Sequence, residues 1–415
     1  EACPESVVEA LPQYSADDVR EAYGELYELK KAGQLFAEDD YIDVSRYIPV
    51  GAPVKALCLH VAHDCNLRCK YCFASTGDFG QGRKIMPPEV AKKAIDFVIA
   101  RSGKRRNIEV DFFGGEPLMA WDTVTQTVDY ARSIEEQHGK KFRFTITTNG
   151  LLLDEDKRKY INENMDNCVL SLDGRREVND EFRKTVAGTG SYDTIVPKFK
   201  ALVDERDPNL DYYARGTFTS HNLDFAEDVL SIADAGFDRL SVEPVTADPG
   251  CGYDLTEDDL PKIEAEYDRL TDIMLERKKA GKPFTFFHFM VDLDQGPCVV
   301  KRLRGCGAGY EYVAVTPDGD IYPCHQFVGK EEFKQGSVLD QSFNMDIAQK
   351  FAGMNIYSRP KCQKCWAKFY CSGGCSAANY NMNHDMNDSY DLGCEMERKR
   401  LECAIYLKAM DKICE

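Results

Sequence analysis

Basic charge is scarce in this chain. Lysine and arginine together number 52 against 70 aspartates and glutamates, a formal net charge of −18. A surface of that sign repels phosphates, which excludes a general nucleic-acid partner. Long hydrophobic runs are also missing: no apolar stretch approaches the ~18 residues a bilayer-spanning helix needs, so no membrane partner is expected. No internal repeat or low-complexity tract is present, and no basic-then-apolar leader opens the chain, which does not begin with Met. What remains is ordinary for folded protein: 415 residues, 43% hydrophobic and 29% charged, enough for two or three domains.

Cysteine breaks that pattern. Of 17 in all, seven fall in residues 1–290 and ten in residues 291–415. Such density marks disulfide scaffolds in short secreted chains. In a long acidic chain without a secretion signal, reduced thiolates gathered on metal are the better reading, and a cytoplasmic protein is expected.

Three regions follow from patterning. Residues 1–52 read as a winged-helix-like element: Ser15 caps a helix with Val19, Tyr23, Leu26 and Leu29 on one face, Gly33 ends it, and Tyr41–Val44 suits a short strand. Its twelve acids against four bases leave peptide recognition or simple packing as its roles, not DNA. Gly51-Ala52-Pro53 suits a linker. Residues 53–295 alternate strands (57–62, 108–113, 142–148, 168–172, 212–219, 239–245) with helices (88–101, 121–137, 154–165, 191–204, 223–235, 256–279). Six βα units imply an α/β fold with a parallel sheet, either an open partial (β/α)6 barrel or a doubly wound sheet. Catalytic groups then belong at the C-terminal strand ends. Residues 296–415 hold a hairpin around Pro317-Asp318-Gly319-Asp320, a cysteine-rich stretch and a closing helix over 394–413.

Directly after the first strand stands Cys65-Asn-Leu-Arg-Cys69-Lys-Tyr-Cys72. Three thiolates so spaced can hold three irons of a 4Fe–4S cube, leaving the fourth iron free for a ligand. Zinc is the alternative, with His60 or His63 completing the set. C-x3-C-x2-C in this place resembles the signature of the radical S-adenosylmethionine (SAM) enzymes. Gly114-Gly115-Glu116-Pro117 after the second strand resembles that family's GGEP motif. The resemblance implies a partial barrel in which one-electron cleavage of SAM yields a 5′-deoxyadenosyl radical that abstracts hydrogen. It also implies SAM contacts. Gly114 and Gly115 let backbone approach the ligand, and Glu116 accepts from the methionine ammonium. Asn149 and Ser171 end the next strands, Arg183 meets the carboxylate, and Tyr71 and Val245 lie at the adenine.

The tail reads Cys306-x12-Gly319-x4-Cys324, then Cys362-x2-Cys365-x5-Cys371-x3-Cys375, then Cys394. This array resembles the SPASM extension of peptide-maturing radical SAM enzymes, which holds two auxiliary 4Fe–4S clusters. The resemblance implies Cys306, Cys324 and Cys375 at cluster I and Cys362, Cys365, Cys371 and Cys394 at cluster II. The last iron of cluster I is expected to stay open to a substrate thiolate, with Cys298 as the alternative fourth ligand. A zinc ribbon is the alternative for the 362/365 pair. Cys3, Cys58, Cys168, Cys251, Cys403 and Cys414 match no motif and are expected as small buried side chains.

Gly296–Tyr310 together with Tyr322-Pro-Cys-His-Gln-Phe327 is similar to the maturases of SCIFF (six-cysteines-in-forty-five) peptides, of the sactipeptide and ranthipeptide kind. That similarity implies a Cys-rich precursor peptide with a leader as partner, a flavodoxin or ferredoxin as electron donor, and a Cys-sulfur-to-carbon thioether as product. The alternatives are sulfatase-maturase-type oxidation of Cys or Ser, which commonly needs an Asp where His325 stands, and carbon–carbon crosslinking. An electron-transfer protein without SAM chemistry leaves GGEP and Ser171-Leu-Asp-Gly without a role.

Overall fold

All eight residues of β1 (Ala56–His63) are buried, the pattern of a strand covered on both faces. It lies inside an 11-stranded sheet. The others are β2 (Lys84–Ile85), β3 (Asn107–Gly114), β4 (Lys141–Thr148), β5 (Asn167–Ser171), β6 (Asp211–Phe218), β7 (Arg239–Pro244), β8 (Thr285–Phe286), β9 (Tyr312–Val315), β10 (Asp320–Tyr322) and β11 (Gly336–Ser337). The computed structural model describes residues 2–36, 38–39, 42–43, 53–293 and 298–414.

The six expected strands correspond to β1, β3, β4, β5, β6 and β7, each pairing in parallel with the next in chain order. Strand order never reverses across these six. Right-handed crossovers therefore place every connecting helix on one face, and the sheet curls as an open barrel; a doubly wound sheet would reverse at a switch point. Helices Pro88–Arg101, Trp121–His138, Glu155–Asn164, Tyr192–Asp204, Phe225–Asp234 and Leu260–Lys279 fill the expected places. Alternate strand residues such as Ile108, Val110 and Phe112 pack beneath them. The other face of β3 to β6 is only partly buried and looks into the barrel.

The cysteine-rich tail is joined to this sheet. β9 pairs in parallel with β1, Ala56 opposite Tyr312 through Leu59 opposite Val315. β10 returns antiparallel around the expected turn, where the Gly319 N–H donates to Thr316. The closing helix Asp391–Cys414 lies along Leu260–Lys279, with Arg400 Nε donating to the Tyr267 hydroxyl at 2.9 Å.

Residues Glu1–Tyr47 form one compact unit and Ile48–Glu415 another. The first holds helices Glu5–Glu9 and Ala16–Lys31; Ser15 caps the second by accepting from the Asp18 N–H at 3.1 Å. Val19 is buried, but Leu26 and Leu29 on the expected apolar face are exposed. The strand expected at 41–44 lies outside the described residues except for Ile42 and Asp43.

Candidate active site and auxiliary thiol sites

One cavity of about 240 Å³ opens at the C-terminal ends of the strands. Cys65, Cys69 and Cys72 line it, together with all eight residues expected at SAM: Tyr71, Gly114, Gly115, Glu116, Asn149, Ser171, Arg183 and Val245.

The two glycines serve the scaffold. A Cβ on Gly114 would stand 2.2 Å from the Ala62 carbonyl oxygen, and one on Gly115 would stand 2.1 Å from that of Asp64. Both glycines line the cavity, and both also admit the close approach of the chain's own backbone. That crossing seats the cysteine loop, with the Gly115 N–H donating to Ala62 and the Glu116 N–H to Asp64.

Glu116 is buried and accepts from the Leu118 N–H (3.0 Å), the Thr148 hydroxyl (2.8 Å) and the Asn149 N–H (2.7 Å). Burial pushes its carboxyl up, and these donors oppose that. The carboxylate pins the end of β4 to the end of β3. Asn149 in turn donates to Asn66 at 2.7 Å, beside Cys65.

On the opposite wall Arg183 donates to the Tyr71 hydroxyl at 2.8 Å, and that hydroxyl donates to Asp173 at 2.5 Å. The Arg183 Nε is buried without a partner, the mark of a cation built for a further anion. Burial drives the thiols of Cys65 to about 12 and Cys69 to about 11, although Arg183 pulls Cys69 back. Such thiols ionise where a metal compensates the charge.

Two wall residues escaped the sequence reading. Arg215 on β6 binds Glu243 on β7 through two bonds of 2.9 and 2.6 Å. Charge alone did not mark them, because the same two strands carry a second inward pair, Arg239 and Asp211, at 2.8 Å. His325 closes the cavity, its ring 5.5 Å from that of Phe73 and 5.0 Å from that of Phe113.

His60 and His63 do not serve as ligands there. Nδ1 of His60 faces Nε2 of His63 at 3.1 Å, and both rings pack on Phe79. Among the described residues no three His, Cys, Asp or Glu side chains close tightly enough on one ion. The thiols instead ring open space, as a larger group requires.

A second cavity, of about 180 Å³, is lined by Cys362, Cys365, Cys371 and Cys394. Cys362 precedes the end of helix Pro360–Gln363, Cys371 ends helix Lys368–Cys371, and Cys394 lies in the first turn of the closing helix. Cys306, Cys324 and Cys375 form a third group: burial pushes the thiols of Cys306 and Cys324 up, and Cys375 lies near enough to both to raise them further. Cys298 is exposed just before helix Val299–Arg304. Of the remaining cysteines, Cys58, Cys168 and Cys403 are buried. Cys251, expected to be buried, is exposed in a turn where its thiol reaches Asp254 at 3.8 Å, and Cys3 is partly exposed. The Cys414 side chain lies outside the described residues.

This architecture is that of a radical SAM barrel with a SPASM extension. Residues 59–208 match the family model for the radical SAM superfamily, and residues 306–366 match that for SPASM, an iron–sulfur cluster-binding domain. The chain carries both domains, which imply SAM and 4Fe–4S clusters as cofactors. The cysteine-type anaerobic sulfatase-maturating enzyme of Clostridium novyi is 25% identical over 80% of this chain and 90% of its own. The radical SAM cyclopropyl synthase TigE of Paramaledivibacter caminithermalis is 24% identical over 80% and 70%. Native anSMEcpe with bound AdoMet and Cp18Cys peptide shares the fold, with a TM-score of 0.70, 20% identity, and coverage of 88% and 100%. Among the described residues no helix is long and apolar enough to cross a membrane.

Proposed function

We propose that this chain is a radical SAM peptide maturase that joins a cysteine sulfur of a ribosomally made, Cys-rich precursor to a carbon of another residue. The observation carrying this reading is a groove of about 440 Å³ that shares Tyr71, Cys72, Phe73, Thr246, His325 and Gln326 with the active cavity. Its far wall includes Tyr380 and His384, in and just after the helix that follows Cys375. A groove running from the barrel mouth along the SPASM region suits an extended peptide better than a small metabolite. The likeness to a structure that holds both AdoMet and a peptide supports the same substrate class.

Bound together, SAM and its cluster supply the hydrogen-abstracting oxidant. The chain's residues hold and orient: Cys65, Cys69 and Cys72 as cluster ligands, Glu116 and Asn149 toward the methionine ammonium, Ser171 and Arg183 toward its carboxylate, Tyr71 and Val245 at the adenine. Cys362, Cys365, Cys371 and Cys394 ligate one auxiliary cluster. Cys306, Cys324 and Cys375 ligate the other, whose last position is open to the peptide thiolate, with Cys298 as competing ligand. In the peptide one C–H and one S–H bond break and one C–S bond forms: one hydrogen atom goes to the SAM-derived radical, the thiol proton leaves to solvent, and the remaining electron passes to the auxiliary clusters and on to the external electron carrier. The exposed Leu26 and Leu29 of the first unit suit leader recognition.

The test is anaerobic incubation of the reconstituted protein with SAM, a reductant and a Cys-rich precursor encoded beside its gene. Loss of two hydrogens, with one cysteine made resistant to alkylation, is expected. Resemblance to the C. novyi enzyme favours a second reading, oxidation of a Cys or Ser to formylglycine, which a hydrazine-reactive carbonyl in the product would establish.

A further inference from the structure

Arg359 is a buried cation with no carboxylate in its hydrogen-bond shell. It is 3% exposed, yet its guanidinium donates only to neutral oxygens. NH1 reaches the Gly373 carbonyl at 2.5 Å, NH2 the Ser376 hydroxyl at 2.8 Å, and Nε the Met386 carbonyl at 3.3 Å. A full charge taken from water and left without a counter-charge is strongly disfavoured, so such a group implies an anion close by.

The placement of its partners shows where that anion is. Arg359 precedes helix Pro360–Gln363, and its carbonyl accepts from the Cys362 N–H at 3.0 Å, in the four-cysteine site. Gly373 lies midway between Cys371 of that site and Cys375 of the three-cysteine site, and Ser376 directly follows Cys375. Gly373 has φ +87°, a backbone conformation that favours glycine, and it turns its carbonyl onto the Arg359 guanidinium. Cys362, Cys371, Cys375 and Cys306 all act electrostatically on Arg359. The charge therefore stands between the two thiol groups, in contact with the loop that connects them.

We propose that Arg359 is a positioning residue shared by both auxiliary clusters, fixing the Cys371–Cys375 loop and holding both reduction potentials up through its charge. This rests on the auxiliary-ligand assignment above. A fixed cation favours the more negative, reduced state of each cluster, and removing it shifts both potentials to lower values.

The test is a redox titration of the reconstituted holoenzyme followed by electron paramagnetic resonance, with iron and sulfide counted in each sample. In Arg359→Gln both auxiliary potentials are expected to fall, while the SAM-responsive signal stays in place. Full iron with unchanged auxiliary potentials would overturn the proposal. Should Arg359→Gln lose iron, Arg359→Lys decides: restored clusters at near-native potentials support the shared charge, and continued iron loss in a folded protein overturns it. A native holoenzyme with iron for one cluster only would instead refute the ligand assignment itself.

Discussion

Arg183 donates to the phenol oxygen of Tyr71 across 2.8 Å, tying the cysteine loop to the opposite wall of the cavity. Tyr71→Phe leaves that guanidinium nitrogen and Asp173 each short of a bond in a buried place. The expected result is a loss of about 1–2 kcal/mol in apoprotein stability and a roughly tenfold weaker SAM affinity. Chemical denaturation and equilibrium binding to the reconstituted protein check the two arms separately.

Gly115 and Gly24 make opposite predictions for one chemical change. A methyl at Gly115 meets the Asp64 and Gly77 carbonyl oxygens, whereas one at Gly24, in helix Ala16–Lys31, meets nothing within 4 Å. Gly115→Ala is expected to cost about 2 kcal/mol or more and to lower iron uptake at the first cluster. Gly24→Ala is expected to add about 0.5–1 kcal/mol to its own unit. Thermal melts with iron analysis compare them.

His288 gives a pH signature independent of iron. Burial and the nearby Arg400 drive its imidazole down to about 3, with Arg215 acting the same way and Glu243 opposing. Its ring meets the Ser241 hydroxyl at 3.2 Å. A lowered histidine is protonated first in the unfolded chain, so its share of stability is whole above the unfolded value near 6.5 and is lost progressively as pH falls toward 3. The slope over that window is up to about 1.4 kcal/mol per pH unit. His288→Asn should flatten the acid side of a stability–pH curve by that amount; an unchanged slope would refute the assignment.

Cys371→Ala and Cys69→Ala should each remove about four irons per chain and should do so independently. The first variant is expected to retain SAM binding and lose peptide turnover, while the second loses both. Iron counting and SAM binding on the two purified variants decide this.

Much of this was legible because barrel strands and their helices obey short periods. β3 and β4 alternate cleanly, and Pro88 and Gly139 mark helix ends in sequence. The thiol groups were legible through the resemblance of their arrays to known cluster motifs, since the interleaving of Cys375 with the other set does not follow from spacing. Arg359 was hidden for a physical reason: its partners are backbone carbonyls and a serine, which leave no pattern in residue type. The pairing of β9 with β1 was hidden likewise, since parallel neighbours so far apart in sequence show nothing locally. Leu26 and Leu29 misled in the other direction, because helical periodicity announces an apolar face and cannot say what covers it.

The β9–β1 pairing bears on how such proteins can be recombined. Because the extension lays β9 in register against the first barrel strand, it is no bead on a tether. A chimera that exchanges the tail after residue 296 must bring a β9 that pairs with Ala56–Leu59 and sets a small residue opposite Cys58, as Ala314 does, or it opens the edge of β1. Successful grafts should therefore follow strand register rather than domain boundaries, and exchanged tails should arrive together with a matching first strand.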